Sequence, residues 1–129
     1  MRFDAFAILF LYLLIFLEGA SIKGDNQQSI PYIEFHIAEK TFNGKDGCNM
    51  ISGSIEELSD KSIKFGPIMA TKMACMDMTI PDLFHQKMME VRSYDGQEHV
   101  HPGTEKKNEG TLSFYNEEGE RILAFTEIN

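Results

Sequence analysis

The sequence of 129 residues lacks the short motifs that mark common catalytic sites. It has no Gly-x-Ser-x-Gly turn of a serine hydrolase and no Gly-x-Gly-x-x-Gly of a dinucleotide site. Residues 44–46 (Gly-Lys-Asp) do not form a phosphate loop, because the upstream glycine and the following serine or threonine are missing. Any carboxylate pair chosen from 20 acidic residues would be arbitrary. We therefore expect neither enzymatic activity nor a cofactor.

Positive charge is also scarce, with 12 lysines and arginines against 20 acidic residues and a formal net charge of −8. A nucleic-acid-binding protein needs a basic face that displaces counterions from phosphates. The basic residues here are scattered among acidic ones. This pattern excludes nucleic acid as a partner and suits a soluble protein.

No apolar run has the length of about 20 residues that a membrane-spanning helix needs. The longest, residues 5–17, is uncharged and precedes small residues, of which Gly19 and Ser21 form the best cleavage pair. We interpret residues 1–21 as a signal peptide and predict export to the periplasm, the cell envelope or the medium. Glu18 is unusual at a cleavage site, so an uncleaved anchor that holds the protein at the membrane is the alternative.

Cysteine occurs only twice, as Cys48 and Cys75. In an exported protein an even number of cysteines indicates a disulfide, which would stabilise the fold by roughly 3 to 4 kcal/mol in the chain-entropy model. Two buried free thiols are the alternative. A redox or metal-binding pair is disfavoured, because the sequence has no Cys-x-x-Cys.

The pattern after the leader predicts one strand-rich domain over residues 31–129, preceded by a polar tail over residues 22–30. Apolar and polar residues alternate at positions 32–37, which is typical of a strand with one buried face. Two glycines predict a turn within residues 43–47. Further strands are expected at residues 49–57, 62–65, 111–115 and 121–125, the last two joined as a hairpin.

Two segments leave alternatives open, and one predicts a helix. Residues 68–76 form a strand or an irregular core segment, and residues 95–110 form a long loop or a hairpin with a turn at Asp95-Gly96. Between residues 79 and 90 apolar side chains recur at helical spacing, and Pro81 suits a helix start. The predicted fold class is mainly β, a small antiparallel curled sheet or barrel with one helix. Ile68 and Met73 are among its predicted core residues.

Two segments together resemble the META domain family, to which the heat-shock-linked bacterial protein HslJ belongs. Residues 43–49, with a glycine at position 53, resemble the Gly-Cys-Asn turn of the family, and residues 65–75 resemble its Thr-x-Met-Ala-Cys signature. The matching positions are Gly47, Cys48, Asn49, Gly53, Thr71, Met73, Ala74 and Cys75.

The resemblance implies a small barrel-like fold with one helix, found mostly in bacterial envelopes, linked to heat shock, and without an accepted enzymatic activity. It also implies that Cys48 and Cys75 are neighbours in space, since each lies in one of the motifs. Members usually have a first strand containing tryptophan, whereas this chain has no tryptophan and few residues between Ser21 and Pro31. The expected barrel therefore lacks that strand, and its open edge would accept an envelope protein or a second copy.

The function predicted from this resemblance is stress- or envelope-related binding of an envelope component. The alternative is a periplasmic copper- or zinc-handling protein. Thioethers suit Cu(I), and four methionines lie near Cys75 in the sequence, whereas His99 and His101 could hold Zn(II) or Cu(II) if a third ligand joined them. The simpler interpretation is that the methionines fill the core and that these two histidines are solvated. The four methionines are Met69, Met73, Met76 and Met78.

Overall fold

The computed structural model describes residues 10–22, 30–97 and 110–128, which form nine strands and one helix. The elements are β1 (Phe10–Leu17), β2 (Tyr32–His36), β3 (Thr41–Lys45), β4 (Met50–Leu58), β5 (Ile63–Phe65), β6 (Met69–Ala70), α1 (Thr79–Glu90), β7 (Ser93–Gln97), β8 (Thr111–Tyr115) and β9 (Arg121–Glu127). In the described part of the chain, no helix has the length and hydropathy of a membrane span.

The strands form one antiparallel sheet in the order β5-β4-β3-β2-β1-β9-β8-β7, with β6 paired to the first half of β4. The two ends of this sheet approach each other, because the amide of Ile63 donates to the carbonyl of Arg92 at 3.1 Å and that of Tyr94 donates to Lys61 at 3.0 Å. The sheet is thus a nearly closed barrel. The prediction of a mainly β, barrel-like domain with one helix is confirmed.

An aromatic cluster fills the barrel. The ring of Phe65 lies between Phe35 and Phe114, with centroid distances of 6.1 and 5.6 Å, and Phe114 contacts Phe125 edge-on at 5.6 Å. The helix joins this cluster, since the ring of Phe84 meets that of Phe125 at 6.2 Å. These contacts place the core between the inner face of the sheet and the apolar face of α1.

The helix has the bounds that the apolar spacing predicts. The amide of Thr79 donates to Asp77 Oδ1 at 2.9 Å at its start. Hydrogen bonds from Thr79 lower the pKa of the Asp77 carboxyl. Phe84 and Met88 are fully buried, as the predicted stripe requires.

Strand β1 corrects the expectation of a barrel without its first strand. It lies in the middle of the sheet, paired to β2 on one side and β9 on the other. Its inward side chains, Tyr12, Leu14 and Leu17, are at most 1 % exposed. Burial of each contributes about 2 kcal/mol relative to exposure, so the strand is a substantial part of the core. The expectation was wrong because the apolar run that supplies this strand was assigned to the leader.

The turn predicted within residues 43–47 is displaced. Residues 43–45 belong to β3, and only Gly47, with φ of 105°, has the left-handed conformation of a turn glycine. Gly44 is extended, and a β-carbon there would lie 2.1 Å from the carbonyl oxygen of Tyr32. This glycine therefore permits close packing of β3 on β2 and does not reverse the chain.

The structure decides in part between the alternatives that the sequence left for two segments. Of residues 68–76 only Met69–Ala70 is a strand, and the rest is irregular. Asp95 and Gly96 lie inside β7, so they do not form the tip of a hairpin. Residues 98–109, which include the rest of the expected loop, lie outside the described residues.

Candidate functional site

The two motif segments meet beside the start of β4, where a disulfide joins Cys48 to Cys75 across 27 positions of sequence. Their α-carbons are 6.1 Å apart. The described residues contain no free cysteine. The structure therefore holds together the two segments that the family resemblance made neighbours.

A buried carboxylate shapes the first of these segments. Asp46 is 1 % exposed, and its Oδ1 accepts hydrogen bonds from the amides of Cys48 and Asn49 at 2.8 and 2.6 Å. Its own amide donates to the carbonyl of Asn49 at 3.0 Å. Together with the positive φ of Gly47, these bonds close a tight turn between β3 and β4.

Asn49 connects this turn to the second segment. Its Oδ1 accepts from the Thr71 hydroxyl at 2.9 Å and from the Met73 amide at 2.7 Å, and its Nδ2 donates to the Met73 carbonyl at 3.1 Å. The Thr71 hydroxyl oxygen also accepts from the amide of Met50 at 3.1 Å. Asn49 is 5 % exposed, so the bonds that its own side chain makes are largely shielded from water.

His85 extends the same network to the helix. Its Nε2 lies 2.6 Å from Oδ2 of Asp46, with the carboxylate side chain 2 % and the imidazole 31 % exposed. Neither His85 nor Asp46 is among the candidate site residues that the sequence predicts. An aspartate directly before a Gly-Cys-Asn turn does carry a signal, since Asp favours such turns, but nothing in the sequence pairs it with a histidine 39 positions away.

Of the remaining motif residues, Gly53 matters because it has no side chain, and Met73 contributes through its backbone groups. A β-carbon on Gly53 would lie 2.7 Å from the Phe42 ring, so glycine is needed for that ring to pack against β4. Met73 uses its backbone to bond Asn49, while its side chain is 63 % exposed. Its assignment to the core was wrong, and Ile68 is only partly buried. Ala74 is exposed.

The four methionines near Cys75 do not fill the core. Met69, Met73 and Met76 are exposed, at 70, 63 and 107 %, and Met78 lies at the start of the helix. Met50, which follows the disulfide-linked turn, is also 62 % exposed. Four exposed methionines therefore lie in or next to the two motif segments.

Two shallow adjoining grooves, of about 550 and 350 Å³, lie on the outer face of β3, β4 and β6. Both are bordered by Asn43, Ser52 and Met69, which are cross-strand neighbours on that face. Met50 and Thr71 complete the smaller groove. We call this region, with the outer side of β6, the methionine groove.

The described residues contain no group of three or more histidine, cysteine, aspartate or glutamate side chains that could hold a metal ion. His99 and His101, the candidate zinc or copper ligands, lie outside the described residues. The Asp46–His85 pair has no third partner of this kind in the described part of the chain. Its geometry ties the helix to the turn.

Comparison with known proteins agrees with this geometry. The model of the META domain matches residues 12–128, which includes most of β1 and both motif segments. Among solved structures, a protein from Burkholderia xenovorans determined by NMR is similar, with a TM-score of 0.60 and 18 % identity over 100 % of this chain and 91 % of that one. At that identity the likeness concerns the fold alone. No curated protein matches the chain.

Proposed function

Because the chain belongs to the META domain family, which is not a known enzyme family, we propose that it is a binding protein. Its ligand is an extended segment of another polypeptide, taken up in the methionine groove as an additional strand on β6. The working compartment is extracytoplasmic: the periplasm, the envelope or the medium. The Cys48–Cys75 disulfide supports this location, because such bonds persist in oxidising compartments.

The observation that carries the proposal is the outer side of β6. Among the described strands, β6 pairs only with β4. The amide of Thr71 donates to the carbonyl of Met50 in β4 at 3.0 Å, and backbone groups alternate in direction along a strand. The amide and carbonyl of Ala70 therefore point away from β4, in the direction from which an added strand would pair.

The side chains around this edge suit a segment of mixed character. Met50 and Met69 are flexible apolar groups that adapt to different partners. Lys45, the cross-strand neighbour of Met50, and Lys72, next to Thr71, are both exposed on a chain with a net charge of −8. We infer a partner segment that alternates apolar side chains with carboxylates.

Photo-cross-linking tests this proposal in the cells that produce the protein. A photoreactive residue at position 72 should form adducts with a partner polypeptide, and the cross-linked peptide should map to an extended acidic segment. The matched background is Ala70→Pro, which removes the outward amide without breaking a bond to β4. Adduct yield should fall at least about tenfold in that background.

A photoreactive residue at Glu118, exposed in the turn between β8 and β9, is the position control. Adducts of equal yield from positions 72 and 118, or a yield at position 72 that Ala70→Pro leaves unchanged, would contradict the proposal. Cooperative urea unfolding of the Ala70→Pro variant establishes that its fold is intact.

A second candidate function rests on the exposed thioethers of Met50 and Met69, which border the same groove. Thioethers are ligands for Cu(I), so copper handling is the proposal that would replace peptide binding. Titration with Cu(I) in competition with a mild chelator distinguishes them. If the wild type retains Cu(I) and the Met50→Ser, Met69→Ser variant loses it, copper handling is favoured. If the wild type does not retain Cu(I), the copper-handling proposal is rejected.

A further inference from the structure

Strand β1 is joined to the barrel along both of its edges. It pairs with β2 from Phe10 to Leu13 and with β9 from Tyr12 to Leu17. Bonds beyond these ladders extend the attachment, since the amide of Leu14 donates to the Pro31 carbonyl at 3.0 Å. A strand in this position is as much part of the sheet as any other.

Its side chains divide sharply between two environments. Leu14 is 1 % exposed in the core, whereas Ile15, the next residue, is 44 % exposed on the outside. Tyr12 meets the ring of Phe35 edge-on at 5.7 Å. On the outer face, the guanidinium of Arg121 lies 4.9 Å from the ring centre of Phe16. Such alternation is the property of a folded strand and has no role in the apolar core of a signal peptide.

The residues that follow β1 are also part of the structure. Glu18 accepts a hydrogen bond from Lys87 of the helix at 2.8 Å, and the Lys87 side chain is only 12 % exposed. Gly19 takes φ of 93° beside the side chain of Leu83, and Ile22 packs against the core. Cleavage near Ser21 would therefore separate a strand and a turn that contact the sheet and the helix.

We propose that residues 10–22 remain in the functional protein as its first strand and turn, and that the chain is not cut near Ser21. The slot between β2 and β9 is filled by this chain's own β1, not by a strand from a partner. Loss of β1 would leave two unpaired strand edges next to each other and open the aromatic core. This inference does not depend on the proposed peptide binding.

The adjacent residues Leu14 and Ile15 provide a matched test in the full-length, oxidised chain. Leu14→Ala should raise the equilibrium constant for unfolding by about 30-fold or more, because it leaves a cavity in the core. Ile15→Ala should raise it by less than about fivefold, because its side chain is largely on the surface. If the run were only a leader, both substitutions would act alike, and equal effects on urea unfolding would overturn the proposal.

The mass of the exported protein gives an independent readout. Intact-mass measurement of the chain recovered from the exported fraction should show residues 10–22 present. A cooperatively unfolding monomer that begins at residue 21 or 22 would overturn the proposal, because the barrel would then be complete without β1. A truncated chain that folds only as a dimer would overturn it as well, since a second copy would then fill the slot.

Discussion

The carboxylate of Asp46 and the imidazole of His85 lie 2.6 Å apart, although 39 positions separate them in the sequence. Through the two amides that Asp46 also accepts, this pair joins the helix to the turn that carries Cys48 and Asn49. The disulfide and the Asn49 side chain then join that turn to residues 71–75. The methionine groove therefore adjoins a region of the fold that the disulfide and these hydrogen bonds hold together.

Removal of the Asp46 side chain should be more costly than removal of its helical partner. Asp46→Ala leaves two amides without an acceptor in a buried place, and should lower the free energy of unfolding by about 3 kcal/mol. His85→Ala should cost about 1 kcal/mol, because the carboxylate keeps its two amide bonds. Urea denaturation measures both. Asp46→Asn, which retains an acceptor oxygen, is the control. Its free energy of unfolding should be close to that of His85→Ala.

The disulfide should contribute most of its stability through the unfolded chain. Reduction of the Cys48–Cys75 bond, which spans 27 positions, should lower the free energy of unfolding by roughly 3 to 4 kcal/mol. The reduced protein should remain folded, because Asn49 still holds the two segments together. Denaturation with and without reductant measures this difference. The Cys48→Ala, Cys75→Ala variant should not respond to reductant, and an oxidised wild type that behaves like it would refute the prediction.

Two glycines should differ strongly in their tolerance of alanine. Gly44→Ala places a β-carbon 2.1 Å from a backbone oxygen of Tyr32, and should cost at least about 3 kcal/mol or prevent folding. Gly119→Ala meets no atom within 4 Å and carries only the strain of φ at 81°, which costs about 1 kcal/mol. Thermal unfolding of the pair tests the close approach of β3 and β2. Similar melting temperatures would show that this approach relaxes easily.

The Lys87–Glu18 ion pair should stabilise the fold only while Lys87 is protonated. The hydrogen bond that Lys87 donates to Glu18 raises the pKa of Lys87 above its ordinary value of 10.5, against the opposing effect of burial. A raised pKa gives stability that is complete below the unfolded-state value and is lost as the pH rises through the folded-state value. The free energy of unfolding of the wild type should therefore exceed that of Lys87→Met by about 1 kcal/mol at pH 7 to 9. This difference should shrink above pH 10.5.

The matched control for this pH dependence is Lys72→Met, which removes an exposed lysine. Its difference from wild type should stay small and constant over the same pH range. A Lys87→Met difference that is unchanged from pH 7 to 11.5 would show that the charge of Lys87 does not stabilise the fold.

The sequence determined the elements whose pattern is local. The alternation at residues 32–36, the helical stripe of Thr79–Glu90 and the terminal hairpin of β8 and β9 each depend on neighbours a few positions apart. Such patterns are read directly, because a buried face imposes its period on the chain. The two family motifs likewise indicated which segments meet, and the fold class followed from these elements together.

Only the tertiary structure decided the features that depend on distant residues. An uncharged apolar run has no period, so the sequence does not show whether residues 10–17 form a strand. The structure decides this, because they lie between β2 and β9 in the sheet. Met73 was assigned to the core from its hydropathy, but its backbone bonds Asn49 and turns the side chain outward. The Asp46–His85 contact depends on how the helix packs against the barrel. No short stretch of sequence contains that information, because each of these outcomes is set by what lies across the sheet.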